Sequence, residues 1–333
     1  LEYLVTGANG FVGSNLVKDL LNNGHEVRGL VRETSNTVNL EGLDVELVKG
    51  DIRNPEDMVR VAEGVDGIFH TAALYSFWAS SYEDFYETNV GGTRNVLNGA
   101  EEAGVDRVVV TSTASLLAHS EDKRSLPEST NQLPSDYKIT KYIAEKEALR
   151  FAEETDIEVV IASPTVPIGP GDYGPTPTGR LILEFLNGRM KGYVDMKFNL
   201  VDVEDVARGH LLVMEKGNSG ERYVLGHRNT SLSDVVGLLS RLTGLPEPKF
   251  EIPYSLALTF SWVDEFLEGF LMNKRPTVPI SAIRSTRVDE RIDASPWMNE
   301  LGLPETPTAK SLKKAVDWYL DHGYVNKPET VKS

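Results

Sequence analysis

The 333-residue chain carries 34 Lys and Arg against 50 Asp and Glu, a formal net charge of −16, and such a surface repels nucleic acid and anionic membranes. It has no cysteine, which excludes a disulfide framework and thiolate chemistry. No run of about eighteen apolar residues occurs and no basic-then-apolar export segment opens the sequence, so a cytoplasmic protein without a membrane span is expected.

A short apolar strand, Leu4-Val5, stops at Thr6. Glycines then recur at Gly7, Gly10 and Gly13, and a helical pattern runs over Asn15–Asn22. A nucleotide diphosphate needs this arrangement. Gly7 permits the tight turn, Gly10 lets the backbone approach the pyrophosphate, and Gly13 lets helix pack on strand. Free N–H groups at the helix start then meet negative charge. Further strand patterns follow at Val27–Val31, Val45–Val48, Gly67–His70, Val108–Thr111 and Glu158–Ala162. Helical stretches lie between them, among them Tyr82–Ala103 and Tyr137–Glu154. This alternation predicts an α/β fold, a Rossmann-type doubly wound parallel sheet with right-handed crossovers. After about Thr165 prolines crowd a glycine-rich loop. We therefore expect a nucleotide-binding domain over 1–165 plus about 200–226, with Leu200–Val206 and Arg222–Leu225 returning to the main sheet. A smaller, discontinuous substrate lobe would take 166–199 and 227–333.

Chemistry gathers after Val108–Thr111, which ends in the hydroxyls Ser112, Thr113 and Ser115. Downstream, Tyr137 and Lys141 are four apart and share one helix face. A phenol has a free pKa of about 10, and a neighbouring ammonium with an oxidised nicotinamide favours its phenolate. Such a tyrosine can exchange a proton with a carbonyl or alcohol as hydride moves at carbon. Tyr142 and Lys146 form a second pair with the same spacing. Five helical residues rotate about 140°, so both pairs cannot face one cofactor.

Together with Thr6-Gly7-x-x-Gly10-x-x-Gly13, the string Tyr137-Lys138-Ile139-Thr140-Lys141-Tyr142-Ile143-Ala144-Glu145 resembles the extended short-chain dehydrogenase/reductases of the NAD-dependent epimerase/dehydratase superfamily. Their pattern, Tyr-x-x-Ser/Thr-Lys-x-x-Ala-Glu, fits only the register that starts at Tyr137. Asp51-Ile52, His70-Thr71-Ala72-Ala73, Asn89-Val90-x-Gly92-Thr93 and Val201-Asp202-Val203-Glu204-Asp205 extend the likeness along the chain. Gly169-Pro170-Gly171-Asp172 and Pro175–Arg180 make it most similar to the dihydroflavonol-reductase-like branch, especially its hopanoid-associated sugar epimerase subgroup.

The resemblance implies catalytic roles for Thr113, Tyr137, Lys141 and Asn89, with Ser112 the alternative hydroxyl and helix capping the alternative role for Asn89. It implies cofactor contacts at Gly7, Asn9, Gly10, Phe11, Val12 and Gly13, at Arg32, Asp51 and Ile52, and at Thr71, Ala72 and Ala73. Tyr137, Lys141, Pro164 and Thr165 complete that set. Substrate contacts are expected from Tyr75, Trp78, Ser112, Thr113 and Arg180, although the aromatic cluster Tyr75, Phe77, Trp78, Phe85 and Tyr86 equally suits helix packing. A homodimer is implied through the stretches Tyr82–Ala103 and Tyr137–Glu154. Leu97, Ala100, Ile143 and Leu149 would meet their copies there or face their own sheet.

Cofactor choice has a physical basis. NAD-binding relatives carry Asp at the end of the second strand, where this chain has Val31, and Arg32 follows, placed for a phosphate. NADP(H) is therefore preferred and NAD(H) remains open. Ala114-Ser115 replaces the Asp-Glu of sugar-nucleotide dehydratases. Phe198 stands where epimerases hold a diphosphate with arginine, which leaves Arg180 or Arg189 for an anion. Leu116-Leu117-Ala118 lacks the Asn of plant flavonoid reductases. The six histidines show no metal-ligand spacing, so no metal is expected. The reading is an NADP(H)-dependent carbonyl reductase acting on a small-molecule carbonyl, alcohol or sugar. The alternatives are a sugar or sugar-nucleotide epimerase and, further off, a non-catalytic NADP(H) redox sensor.

Overall fold

The computed structural model describes residues 1–75, 81–266 and 279–325. In chain order its strands are β1 (Glu2–Thr6), β2 (Glu26–Val31), β3 (Glu46–Lys49), β4 (Gly67–His70), β5 (Arg107–Thr111), β6 (Glu158–Pro164), β7 (Val166–Ile168), β8 (Gly192–Tyr193), β9 (Lys197–Asp202), β10 (Arg222–Leu225), β11 (Arg228–Ser231) and β12 (Phe250–Glu251). The helices are α1 (Phe11–Asn22), α2 (Pro55–Ala62), α3 (Tyr82–Phe85), α4 (Gly92–Ala103), α5 (Asp136–Glu154), α6 (Pro177–Leu186), α7 (Val203–Lys216), α8 (Leu232–Thr243), α9 (Tyr254–Asp264), α10 (Ile280–Ser285), α11 (Ser295–Leu301) and α12 (Thr308–Asp321).

Seven strands form one parallel sheet in the order β10-β6-β5-β4-β1-β2-β3. The central β5 and β6 are runs of Val and Ile buried on both faces, as a sheet covered by helices on each side requires. On one face Leu16, Val17 and Leu20 of α1 pack with Val206 and Leu211 of α7. On the other, Met58 and Val61 of α2 pack with Val96 and Leu97 of α4. Those last two helices approach so closely that a Cβ on Gly99 would stand 2.8 Å from the Met58 backbone. Strand order reverses between β1 and β4, which opens a crevice at the carboxyl ends of the strands. A separate core joins α6, α8 and α12 through Phe185, Leu239, Leu312 and Tyr319.

Of three expectations, one is corrected and two are refined. Leu200–Val206 does not return to the main sheet. Residues through Asp202 belong to β9, which pairs parallel with β7 and antiparallel with β11 in a three-stranded sheet. The Asp202 carboxylate then accepts from the Glu204 N–H at 2.9 Å and starts α7 at Val203. Arg222–Leu225 does join the main sheet, beside β6. Second, Tyr82–Ala103 is not uniformly α-helical, because a π-helical stretch, Tyr86–Gly91, separates α3 from α4. Gly92, which opens α4, lies against Ile52, where a Cβ would stand 2.5 Å from the Ile52 Cδ1 and push that side chain aside. Third, Leu97 and Ala100 face their own sheet, buried in its core, and Leu149 packs on the same cluster. Among the described residues no helix is long and apolar enough to cross a membrane.

Candidate active site

The glycine turn leaves β1 with Gly7 at φ +69°, a left-handed conformation that favours glycine. A Cβ there would lie 2.8 Å from the Ala72 backbone, and one at Gly13 would lie 2.1 Å from the Gly7 carbonyl. The Gly10 N–H closes the turn on the Gly7 carbonyl at 2.9 Å. Helix α1 then begins at Phe11 with no side chain capping its first N–H groups. Bare backbone donors at a helix N-terminus fit a pyrophosphate. Asn9, Phe11 and Val12 border this turn and are partly exposed.

Beside the turn, buried hydrogen bonds run from β1 towards α5. Thr6 Oγ1 meets His70 Nδ1 at 2.8 Å, and His70 Nε2 meets Thr93 Oγ1 at 3.0 Å. Thr93 donates to the Asn89 carbonyl at 2.7 Å, which leaves His70 donating through Nε2 and accepting through Nδ1. The Asn89 side chain accepts from the Leu74 N–H at 2.7 Å and reaches Thr140 Oγ1 at 3.1 Å. Asn89 thus ties the segment after β4 to the helix that carries Tyr137. Burial holds His70 at about 3, with the Lys141 charge acting the same way. Thr71 hydrogen-bonds the Thr6 carbonyl through its hydroxyl, which brings Thr71-Ala72-Ala73 beside the glycine turn.

Helix α5 starts at Asp136 because the Ser135 hydroxyl accepts from the Lys138 N–H. One turn along, Lys141 Nζ donates to the Thr111 carbonyl at 2.6 Å. Burial pulls this ammonium down to about 8, opposed by the Glu145 carboxylate. Thr113 leaves β5 in extended backbone, its hydroxyl 3.0 Å from that of Ser115. Burial raises Tyr137 above the ordinary phenol range, Tyr75 and Glu290 add to that, and the Thr113 hydroxyl opposes it. The rings of Tyr75 and Tyr137 lie 4.8 Å apart. Thr113, Tyr137 and Lys141 are therefore gathered at one end of β5. Lys146, of the second pair, is exposed.

Ser112 is committed elsewhere. Its hydroxyl donates to Glu145 Oε2 at 2.5 Å, and Glu145, fully buried, is ion-paired with Arg222 of β10. Pro164 closes β6, and the Thr165 hydroxyl reaches the Asn199 side chain at 3.0 Å. Arg180 is exposed, its guanidinium on the Pro175 carbonyl. Phe85 is buried in packing, and Phe77 and Trp78 lie outside the described residues.

A cavity of about 420 Å³ opens past β2 and β3, lined by Arg32, Glu33, Thr34, Lys49, Asp51 and Arg53. Arg53 is held by Asp51 at 2.6 Å, and this bond keeps the Asp51 carboxyl below its usual range. Arg32 makes no ion pair among the described residues. Ile52, next in line, is buried against Gly92.

Sequence reasoning missed a strap across this site. Asn15 donates to the Pro170 carbonyl at 3.0 Å and Asn39 to the Gly171 carbonyl at 2.9 Å. The Gly169–Asp172 loop is thereby hitched to α1 and to the segment after β2. It also missed the Glu145 network, whose signal was the Glu closing the Tyr137 motif.

Residues 3–226 match the NAD dependent epimerase/dehydratase family. The chain belongs to this family. It is an enzyme of the extended short-chain dehydrogenase/reductase type. It is 43% identical to a putative dihydroflavonol 4-reductase of Synechocystis, covering 97% of this chain and 96% of that protein. It is 34% identical to sterol demethylase protein B of Methylococcus capsulatus, covering 97% and 99%. Among solved structures, gox2253 superposes with a TM-score of 0.85 at 35% identity, covering 97% of this chain and 99% of that one.

The buried histidines make folding pH-dependent. Burial lowers His70 to about 3 and His210 to about 4, from an ordinary value near 6.5. Below that value the unfolded chain binds protons that the folded one refuses, so stability present at neutral pH is lost on acidification. Each group costs up to about 1.4 kcal/mol per pH unit between 6.5 and its folded pKa. The melting temperature is expected to be lower at pH 5 than at pH 7. His210→Gln, which keeps a donor for the Val206 carbonyl and an acceptor for Thr111, should flatten that difference in a pH series of thermal melts.

Proposed function

We propose that this enzyme is an NADPH-dependent carbonyl reductase in which Tyr137 supplies the proton. The carrying observation is the gathering of Thr113, Tyr137 and Lys141 at the carboxyl edge of β5, with Lys141 one helical turn beyond Tyr137 and fixed on the Thr111 carbonyl at 2.6 Å. A carbonyl oxygen held between the two hydroxyls takes the phenolic proton as its carbon becomes an alcohol. The bound nicotinamide supplies the hydride. Lys141, already fixed on the Thr111 carbonyl, keeps further N–H donors for the cofactor ribose. Its positive charge, with that of oxidised nicotinamide, favours the phenolate once the proton has left. Thr113 orients the oxygen.

Raised by burial, Tyr137 enters the reaction as a proton donor, which suits reduction. Tyr75 beside it offers an aromatic wall, and the names of the Synechocystis and Methylococcus relatives support an apolar, ring-bearing substrate. Arg32 beside the 420 Å³ cavity, with Val31 rather than Asp before it, supports the phosphorylated cofactor. A homodimer through α4 and α5 accompanies this reading, with Ile143 as a remaining apolar contact.

Tyr137→Phe should abolish turnover and leave NADPH affinity nearly unchanged, whereas Tyr142→Phe should retain most activity. Steady-state assays over a panel of cyclic ketones, with cofactor titration in parallel, check this, and a dead Tyr142 variant would reverse the choice of pair. Arg32→Ala should weaken NADPH about ten- to a hundredfold, the value of one charge-assisted contact, and barely touch NADH. Fluorescence titration of both cofactors reads the difference. Equal losses would favour a sugar epimerase that recycles NAD, the reading the family's description supports. Light scattering at micromolar concentration should give twice the chain mass, and a monomer would remove the dimer.

A further inference from the structure

The Gly169–Asp172 strap is tied on both sides by contacts that the chemistry above does not use. On the nucleotide side, Asn39 Nδ2 donates to the Gly171 carbonyl at 2.9 Å and to the Asn9 carbonyl at 3.3 Å. One amide thus holds a carbonyl of the strap and a carbonyl of the glycine turn. Asn9 is tied back in turn, its side chain donating to the Asn36 carbonyl at 3.0 Å. Asn15, 4% exposed, donates to the Pro170 carbonyl at 3.0 Å while keeping a bond to the Phe11 carbonyl in α1. On the substrate side, the buried Asp172 carboxylate accepts from the Tyr319 phenol of α12 at 2.8 Å and from the Thr176 N–H at 2.9 Å. The Tyr324 phenol donates to the Tyr173 carbonyl at 2.5 Å. Phe11, the first residue of α1, borders a small cavity with Gly169, Asp172, Ile182 and Tyr319. The strap therefore runs from the phosphate-binding turn to the last helix of the substrate lobe.

We propose that this strap is a gate on the cofactor site: the nucleotide enters and leaves when the Asn15 and Asn39 hitches open, so these two side chains set its exchange rate. This rests on the reading of a nicotinamide nucleotide that sits on the glycine turn and is exchanged in every turnover. The two sides of the strap are tied with unequal strength. Both hitches on the nucleotide side are neutral, part-buried amide-to-carbonyl bonds, each worth little net because water takes the place of the lost partner. The lobe side holds a buried carboxylate with several donors, and bonds to a carboxylate are about twice as strong. The strap thus opens at its nucleotide side and stays with the lobe. Gly171, at φ +91°, gives the backbone there a conformation that other residues rarely adopt. Both hitches join protein to protein rather than protein to nucleotide. Loosening them lowers the barrier to entry and exit alike and leaves affinity nearly unchanged.

The test is stopped-flow fluorescence on the full chain. Entry is followed on mixing with NADPH, and exit on chasing bound NADPH with excess NADP⁺. Asn39→Ala and Asn15→Ala should each speed entry and exit about three- to tenfold, the net worth of one hydrogen bond, while Kd changes by less than about twofold. Ser231→Ala, which removes the cap of α8 and whose bonds are to Ser233 and Asp234, should keep wild-type rates despite its lost stability. Thermal melts identify any variant that fails to fold. Should Asn15→Ala be one of them, Asn39→Ala, at a partly exposed side chain, decides alone. Wild-type rates in Asn39→Ala, or a faster exit alone with weakened affinity, overturn the gate. If the wild type exchanges NADPH and the hitch variants exchange it no faster, this inference alone fails. If the wild type takes up no NADPH, or copurifying NAD⁺ resists displacement, the underlying reading fails and the gate with it.

Discussion

The site depends on the buried hydrogen-bond chain Thr6–His70–Thr93–Asn89–Thr140. Each of these side chains is at most 1% exposed, so each must find its partner inside the protein or bear an unmet desolvation cost of about 1–3 kcal/mol. No member can move alone. The chain links the glycine turn, the end of β4, the π-helical stretch and α5, the four places from which the candidate site is assembled. A neutral imidazole suits its middle, because one ring nitrogen donates while the other accepts. Protonation would put an Nδ1–H donor against the Thr6 hydroxyl already poised to donate, which agrees with the depressed His70 value.

Around this spine, charge and hydroxyl groups are sorted by burial. Glu145 and Arg222 hold Ser112 inward and join α5 to the last strand of the sheet. Thr113, one residue further, escapes that network and meets Tyr137. Two adjacent hydroxyls of similar chemistry thus end in different environments. A local sequence pattern records only that both are present, and the partner that separates them lies 33 residues away in Glu145.

Much of the fold was legible. Alternating apolar runs and helical periods placed the main-sheet strands through β6 within a residue or two, because strands buried on both faces leave a strong signal. The glycine turn was legible because Gly7 has a conformation that few other residues adopt. Lys141 is buried and Lys146 exposed, so two Tyr–Lys pairs of equal spacing end in different environments. Harder were features set by long-range pairing. Leu200–Asp202 has the apolar look of a central strand, yet its partners are β7 and β11. The π-helical turn carries no composition signature, and the hitch of Asn15 and Asn39 to the 169–171 loop needs two ordinary asparagines in the right place.

The seat of β10 at the sheet edge bears on how the protein is made. Its partner β6 is complete at Pro164, but β10 arrives only at Arg222, after β7, α6, β9 and α7 have left the ribosome. Until then β6 presents an unpaired edge of Val and Ile, and Glu145 sits without Arg222. A nascent chain halted in that interval would expose a sticky strand beside an uncompensated carboxylate. Fragments ending before Arg222 are thus poor candidates for independent expression of the nucleotide-binding half.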